Sequence, residues 1–204
     1  MTAGGQVSET ISRRRSLRKF SKRVVAPELV DELIALACAA PAPHHSRPWR
    51  FAHIATSEAR DALADAMLDS WRKELEGEKT VHEVAKMLDR SRRQIVEAPS
   101  LLLACLSVET APAWPDQARR LAERDMFMQS LGAALQNLLL GAVERGLAGY
   151  LKGAPLFCQD AVRQAMRLPP DWEPAFLVIL GYPEDGWQPE PRAAIDVLDF
   201  LIER

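Results

Sequence analysis

Arg13-Arg14-Arg15-Ser16-Leu17-Arg18-Lys19 gathers four arginines, a lysine and a hydroxyl in one short stretch. A guanidinium fork meets two oxygens of a phosphate at once, and serine adds a neutral donor. The pattern suits a bound cofactor phosphate; a solvated basic face would read the same way. A second stretch, Ala40-Pro41-Ala42-Pro43-His44-His45-Ser46-Arg47-Pro48-Trp49, sets two histidines and an arginine behind two prolines. Adjacent histidines diverge on a strand or a helix, and His53 and His82 lack metal-site spacing, so no metal site is expected. Proline-fixed backbone here would present amides and carbonyls to a flat ligand at low entropic cost, or form a rigid turn. Asp171-Trp172-Glu173-Pro174 holds two carboxylates in what reads as a turn, suited to capping or to general acid work. The sequence carries no G-x-G-x-x-G, Walker A or G-x-S-x-G pattern.

The elements that position these residues follow from periodicity and breakers. Residues 1–8 are small and polar and should fray. A short helix is plausible over 9–19. Pro27 opens a helix carrying Leu29, Val30, Leu33, Ile34 and Ala37, which the prolines at 41 and 43 end. A strand over 51–55 precedes a helix with Ser57 as candidate N-cap and Leu63, Met67 and Trp71 on one face. Residues 75–80 read as a charged loop, 81–97 as a helix, and 101–106 as a strand covered on both faces. A loop over 111–116 leads to a long helix, 117–145, apolar nearly all round in its second half, as in a core or a subunit contact. Gly146 suits the C′ position. Strands over 147–151 and 176–180, a helix over 159–166 and an apolar tail over 195–202 complete the chain. The fold class is α+β, or a layered α/β sandwich.

With 204 residues, 48% apolar and 26% charged, the chain reads as one domain rather than a fibrous or disordered one. Residues 1–10 are expected to form a flexible arm and 11–204 a single domain. A net charge of −2 argues against a dedicated nucleic-acid binder. Cys38, Cys105 and Cys158 are widely spaced and odd in number, which points to buried free thiols. The first residues lack an apolar signal core, and the runs 101–106 and 138–143 are too short to span a bilayer. A cytoplasmic protein without membrane contact is expected.

Arg14-Arg15-Ser16-Leu17-Arg18-Lys19-Phe20, its spacing to 41–49, and the late Leu-Gly-Tyr-Pro turn followed by Arg192 resemble the FMN-dependent nitroreductase superfamily. More narrowly, the 40–45 segment, Trp71-Arg72, Asp171-Trp172-Glu173-Pro174 and Gly181-Tyr182 are similar to the C-terminal reductase domain of FbiB-type proteins of coenzyme F-420 biosynthesis. The resemblance implies a central mixed sheet wrapped by helices, in an intertwined homodimer with FMN at its interface. It implies that Arg14, Arg15, Ser16 and Arg192 hold the FMN phosphate and ribityl chain, and that Arg18 approaches N1 and O2 of the ring. Pro41, Ala42 and Pro43 would touch the ring from the partner chain, with the 117–145 helix as interface core. His44, His45 and Arg47 become candidates for binding or protonating an acidic substrate. The implied reaction is hydride transfer from reduced flavin to the double bond of a dehydro F-420 precursor. An NAD(P)H-dependent nitro- or enone reductase, or a flavin-binding protein without turnover, are the alternatives. Two features depart from the FbiB-type pattern: the glutamyl ligase region is absent from this sequence, and Lys152-Gly153-Ala154-Pro155 differs from the expected loop near the flavin edge.

Overall fold

The computed structural model describes residues 5–75 and 80–203. Most of the charged loop expected at 75–80 therefore lies outside the described residues, as do residues 1–4 of the expected arm. The first helix, α1, is Gly5–Arg13, so residues 5–10 form its first turns. It ends earlier than the expected 9–19. A helix continued to Lys19 would stack Arg14 on Arg18 and Arg15 on Lys19, like charges four residues apart. Instead the Arg14 amide closes the last turn on the Thr10 carbonyl, and the chain runs on extended. Ser16 then makes a single parallel bridge with Gly149.

Helix α2 (Pro27–Ala37) has Pro27 in its first turn and buries Val30, Leu33 and Ala37. Strand β1 (Trp49–His53) starts two residues before the expected position. In α3 (Ser57–Leu75) the cap is Thr56, whose hydroxyl accepts from the Ala59 amide; Ser57 is the first helical residue. Helix α4 (Val81–Val96) begins with a reciprocal Thr80–Glu83 capping box. Its Arg92 sits between Asp61 and Asp65 of α3. Strand β2 (Ser100–Ser107) is buried at every residue. Helix α5 (Gln117–Glu144) follows, capped by the Asp116 carboxylate on the Arg119 amide and left through Gly146 at φ 74°. After β3 (Ala148–Lys152) come a turn over 154–157 and α6 (Gln159–Ala165). Strand β4 runs Trp172–Gly181, so 172–174 are strand rather than turn.

The sheet order is β1-β2-β4-β3, and all three ladders are antiparallel. Among the described residues the expected mixed character reduces to the Ser16–Gly149 bridge. The β2–β4 register slips between Ala104 and Cys105, opposite Pro174, which has no amide to donate. Alternation then sorts the core into two layers. Leu102, Ala104, Leu106, Val178 and Leu180 pack with α2 and α5. Leu101, Leu103, Cys105, Leu177 and Ile179 pack with α3, the end of α4 and α6 on the other face. By length and apolarity α5 would also pass for a membrane span. Its Phe127, Leu131, Leu135 and Leu138 are buried in this core, so the apolar stripe is used within the chain. No disulfide joins the three cysteines; Cys105 is buried, whereas Cys38 and Cys158 are only half-buried.

Candidate functional site

At the end of α1 the chain turns Arg14 and Arg15 towards the segment that follows β4. Arg15 donates to the Glu190 carbonyl at 2.9 and 2.5 Å, and to the carbonyls of Ser12 and Arg14. Arg192 donates to the Arg14 carbonyl at 2.7 Å. Backbone oxygens thus hold two of the guanidiniums, and no carboxylate pairs with Arg14, Arg15 or Arg192 among the described residues. Burial, then the charges of Arg192 and Arg15, lower the Arg14 pKa from its ordinary value. Three like charges gathered without a counter-ion make a site for an anion. Ser16 follows directly, exposed, on its bridge to β3. The group lies by the C-terminal end of α5, where Arg13 and Arg15 line a small cavity with Val143, Gly146 and Leu147.

Two residues on, Arg18 stands 5.1 Å over the ring of buried Tyr150. Burial raises the Tyr150 phenol, against the opposing charges of Arg18 and Arg90. Lys19, Lys22, Arg23 and Arg90 join Arg18 around an open groove that also carries Glu97 and Glu184. Lys152 lies two residues beyond Tyr150 on the same face of β3. Its Nζ donates to Ser91 Oγ at 2.5 Å and Gln94 Oε1 at 3.2 Å. The roles of Tyr150, Arg90 and Ser91 carry no sequence motif; they follow from α4 packing over the edge of β3.

The 41–47 segment sits elsewhere. His44, His45 and Arg47 take left-handed backbone, φ 55°, 54° and 48°, which is uncommon for side chains of this size. His44 Nε2 is 3.6 Å from Glu123 Oε1 on α5. Glu123 is 3% exposed; Trp114 donates to its Oε2, and its Oε1 has no hydrogen-bond partner. Glu123 sits in the charged first half of α5, among Arg119, Arg120, Arg124 and Asp125, and so reads as surface in sequence; this buried carboxylate is found only in the fold. Ala42 packs at the edge of the core. The arginine group lies some twenty residues further along α5, roughly 30 Å at 1.5 Å per residue. Within one chain, then, Arg14, Arg15, Ser16, Arg18 and Arg192 come together, and Pro41, Ala42, Pro43, His44, His45 and Arg47 form a separate group.

Asp171 and Glu173 are already engaged. Ser107 Oγ donates to Asp171 at 2.9 Å, and Arg124 grips Glu173 at 3.1 and 2.7 Å. Paired carboxylates of this kind hold β2, β4 and α5 in register.

Residues 11–182 match the model of the nitroreductase family. A Methanothermobacter thermautotrophicus protein, provisionally named NADH dehydrogenase/NAD(P)H nitroreductase, is 27% identical over 88% of this chain and 78% of its own. The crystal structure of a nitroreductase-like family protein from Bacillus cereus superposes with a TM-score of 0.77 at 25% identity, covering 100% of this chain and 98% of that one. A BluB-like flavoprotein from Clostridium difficile shares the fold, with a TM-score of 0.78 at 22% identity over 97% and 98% of the two chains.

Proposed function

The chain belongs to the nitroreductase family, and from that premise we propose that it is an FMN-dependent oxidoreductase that draws on NAD(P)H and reduces an organic acceptor. The observation that carries this reading is the convergence of Arg14, Arg15 and Arg192 without a counter-ion. That donor set fits a phosphomonoester: three cations, the Ser16 hydroxyl beside them, and no competing carboxylate paired to any of the three among the described residues. When bound, FMN supplies the hydride chemistry at N5. Arg14, Arg15 and Arg192 would hold its phosphate, and Ser16 its ribityl chain. Arg18 would meet N1 and O2, where negative charge develops on reduction, and a cation fixed there favours the reduced form.

His44, beside Glu123, is some twenty residues along α5 from that phosphate site, roughly 30 Å at 1.5 Å per residue, and Pro41, Ala42 and Pro43 lead into it from the end of α2. If both groups touch one flavin, they come from two chains, which supports a homodimer with shared sites. His44, His45 and Arg47 would then face the acceptor from the partner side. Histidine suits proton delivery because its pKa lies near neutrality. Buried Glu123 behind His44 would orient it.

For the acceptor, reduction of the double bond of a dehydro F-420 precursor rests on the likeness at 40–45 and 171–174. Nitro compounds are an alternative, supported by the name of the Methanothermobacter relative, and enones are another. The test is an anaerobic spectrum of purified protein with added FMN. NAD(P)H should bleach the bound flavin, and each acceptor is then added to the reduced protein. Rapid recovery of the 450 nm band with one acceptor class identifies it. Bound flavin that no acceptor reoxidises would make this a flavin carrier, and absence of FMN binding would overturn the reading.

A further inference from the structure

A second cavity, about 420 Å³, lies between α3, α4 and the turn after β3. The arginines, Ser16 and the 41–47 group assigned above to the flavin do not line it; Lys152, Gly153 and Ala154, from the loop that the family resemblance places near the flavin edge, do. Met67, Leu68 and Trp71 of α3 form an apolar wall. Phe157 closes the mouth, 76% exposed, an aromatic ring facing water. On the inner side stands a single amine, Lys152, with the Ser91 hydroxyl beside it.

The amine has no charge partner. Its two acceptors, Ser91 Oγ and Gln94 Oε1, are both neutral. No ion pair involves Lys152 among the described residues. Arg90 adds a like charge, and burial with that charge pushes the ammonium down to about 8. An ammonium carries three donors, so one remains after Ser91 and Gln94. A half-buried cation with a spare donor, facing an apolar wall, is incomplete without an anion.

We propose that this cavity binds a small flat molecule, aromatic or conjugated, whose carboxylate pairs with Lys152 Nζ while its rings lie against Trp71, Met67 and Phe157. The volume admits one or two fused rings and excludes a dinucleotide. Lys152 and Tyr150 share one face of β3, so the pocket opens beside the ring under Arg18. Its occupant is therefore the acceptor, an identification that rests on the oxidoreductase reading; the preference for an anion does not.

Trp71 makes the test direct. The probes are 4-nitrobenzoate and its neutral counterpart 4-nitrobenzamide, titrated into protein with excess FMN and followed by tryptophan quenching. Trp71→Phe defines the signal from the cavity. The carboxylate should bind about tenfold more tightly or better. Lys152→Met should bring the two probes within about twofold, and Lys152→Arg should keep the preference. Thermal melts establish that each variant is folded. Equal affinities in the unaltered protein, or a preference that survives Lys152→Met, would overturn the proposal. So would displacement of FMN by the probe, because the cavity would then belong to the flavin. FMN binding is measured separately by flavin fluorescence. A protein that prefers the carboxylate but takes no FMN keeps the pocket and loses the oxidoreductase reading; the reverse pattern does the opposite.

Discussion

Arg14 and Arg192 act as a pair because each lacks a carboxylate and the Arg192 guanidinium is fixed by the Arg14 carbonyl. Charge-assisted contacts are worth about 1.5–3 kcal/mol each. The double variant Arg14→Ala with Arg192→Ala should therefore weaken FMN by several kcal/mol in a fluorescence titration. An unchanged affinity would remove the phosphate from this site. Lys152 permits a test on stability alone. Below pH 8 its amine is charged in the folded and the unfolded chain, and the cost of burying it is fully present. Between about 8 and the ordinary 10.5 the unfolded chain holds more protons, so folded stability rises with pH. Lys152→Met lacks this contribution. Relative to the variant, the unaltered protein should gain about 2–3 kcal/mol between pH 7 and pH 10. Urea midpoints at the two pH values read that difference, and parallel curves would place the amine in solvent.

At the level of elements, β3 carries much of the site. Gly149 pairs with Ser16, and a Cβ there would fall 2.5 Å from the Ile179 carbonyl and 2.6 Å from Leu180 Cδ2. The first neighbour is backbone and cannot yield. Gly149→Ala should cost about 1–3 kcal/mol of stability. It should also loosen FMN by displacing Ser16, measured as a lower melting temperature together with a weaker Kd. A variant that loses stability with its flavin affinity intact would separate the bridge from the site. The same elements show what periodicity carries. Leu29, Val30, Leu33, Ile34 and Ala37, bounded by Pro27 and the prolines at 41 and 43, place α2, and the unbroken apolar run at 101–106 places the central strand. Local signals failed where a tertiary partner decides. Pro174 with two carboxylates reads as a turn, yet a slip in the β2 register admits the proline to β4, and Ser107 and Arg124 satisfy the acids. Ser57 reads as the cap in sequence, but the hydroxyl that accepts from the Ala59 amide is that of Thr56, one residue earlier. Arg14, Arg15 and Ser16 stood out because they are contiguous, whereas Arg192 entered only through the family resemblance. Tyr150, Arg90 and Ser91 were not legible, since two elements distant in sequence, β3 and α4, bring them to one edge of the sheet.

For the whole molecule the question is what completes the site. Ile195, Val197, Leu198, Phe200 and Ile202 are all exposed, Phe200 at 80%, within one short stretch of the chain. A run of exposed apolar residues of this kind suits an association face. A twofold dimer would cover it and bring the 41–47 group of one chain to the arginines of the other. Symmetry then gives a test that buried area cannot. A chain with Arg14→Ala and Arg192→Ala has lost the phosphate half of the site. One with Ala42→Glu has a carboxylate against the ring half. Each homodimer should bind no flavin. Co-refolded in equal amounts, half of the dimers are mixed, and each of these holds one site built wholly from unaltered halves. About a quarter of all sites should recover FMN. The recovered sites should titrate with the affinity of the unaltered protein, because nothing in them has changed. If both halves belonged to one chain, mixing would recover none. Partial recovery at an altered affinity would mean that the mixed dimers repack, and the 30 Å separation along α5 would no longer decide which chain supplies which half.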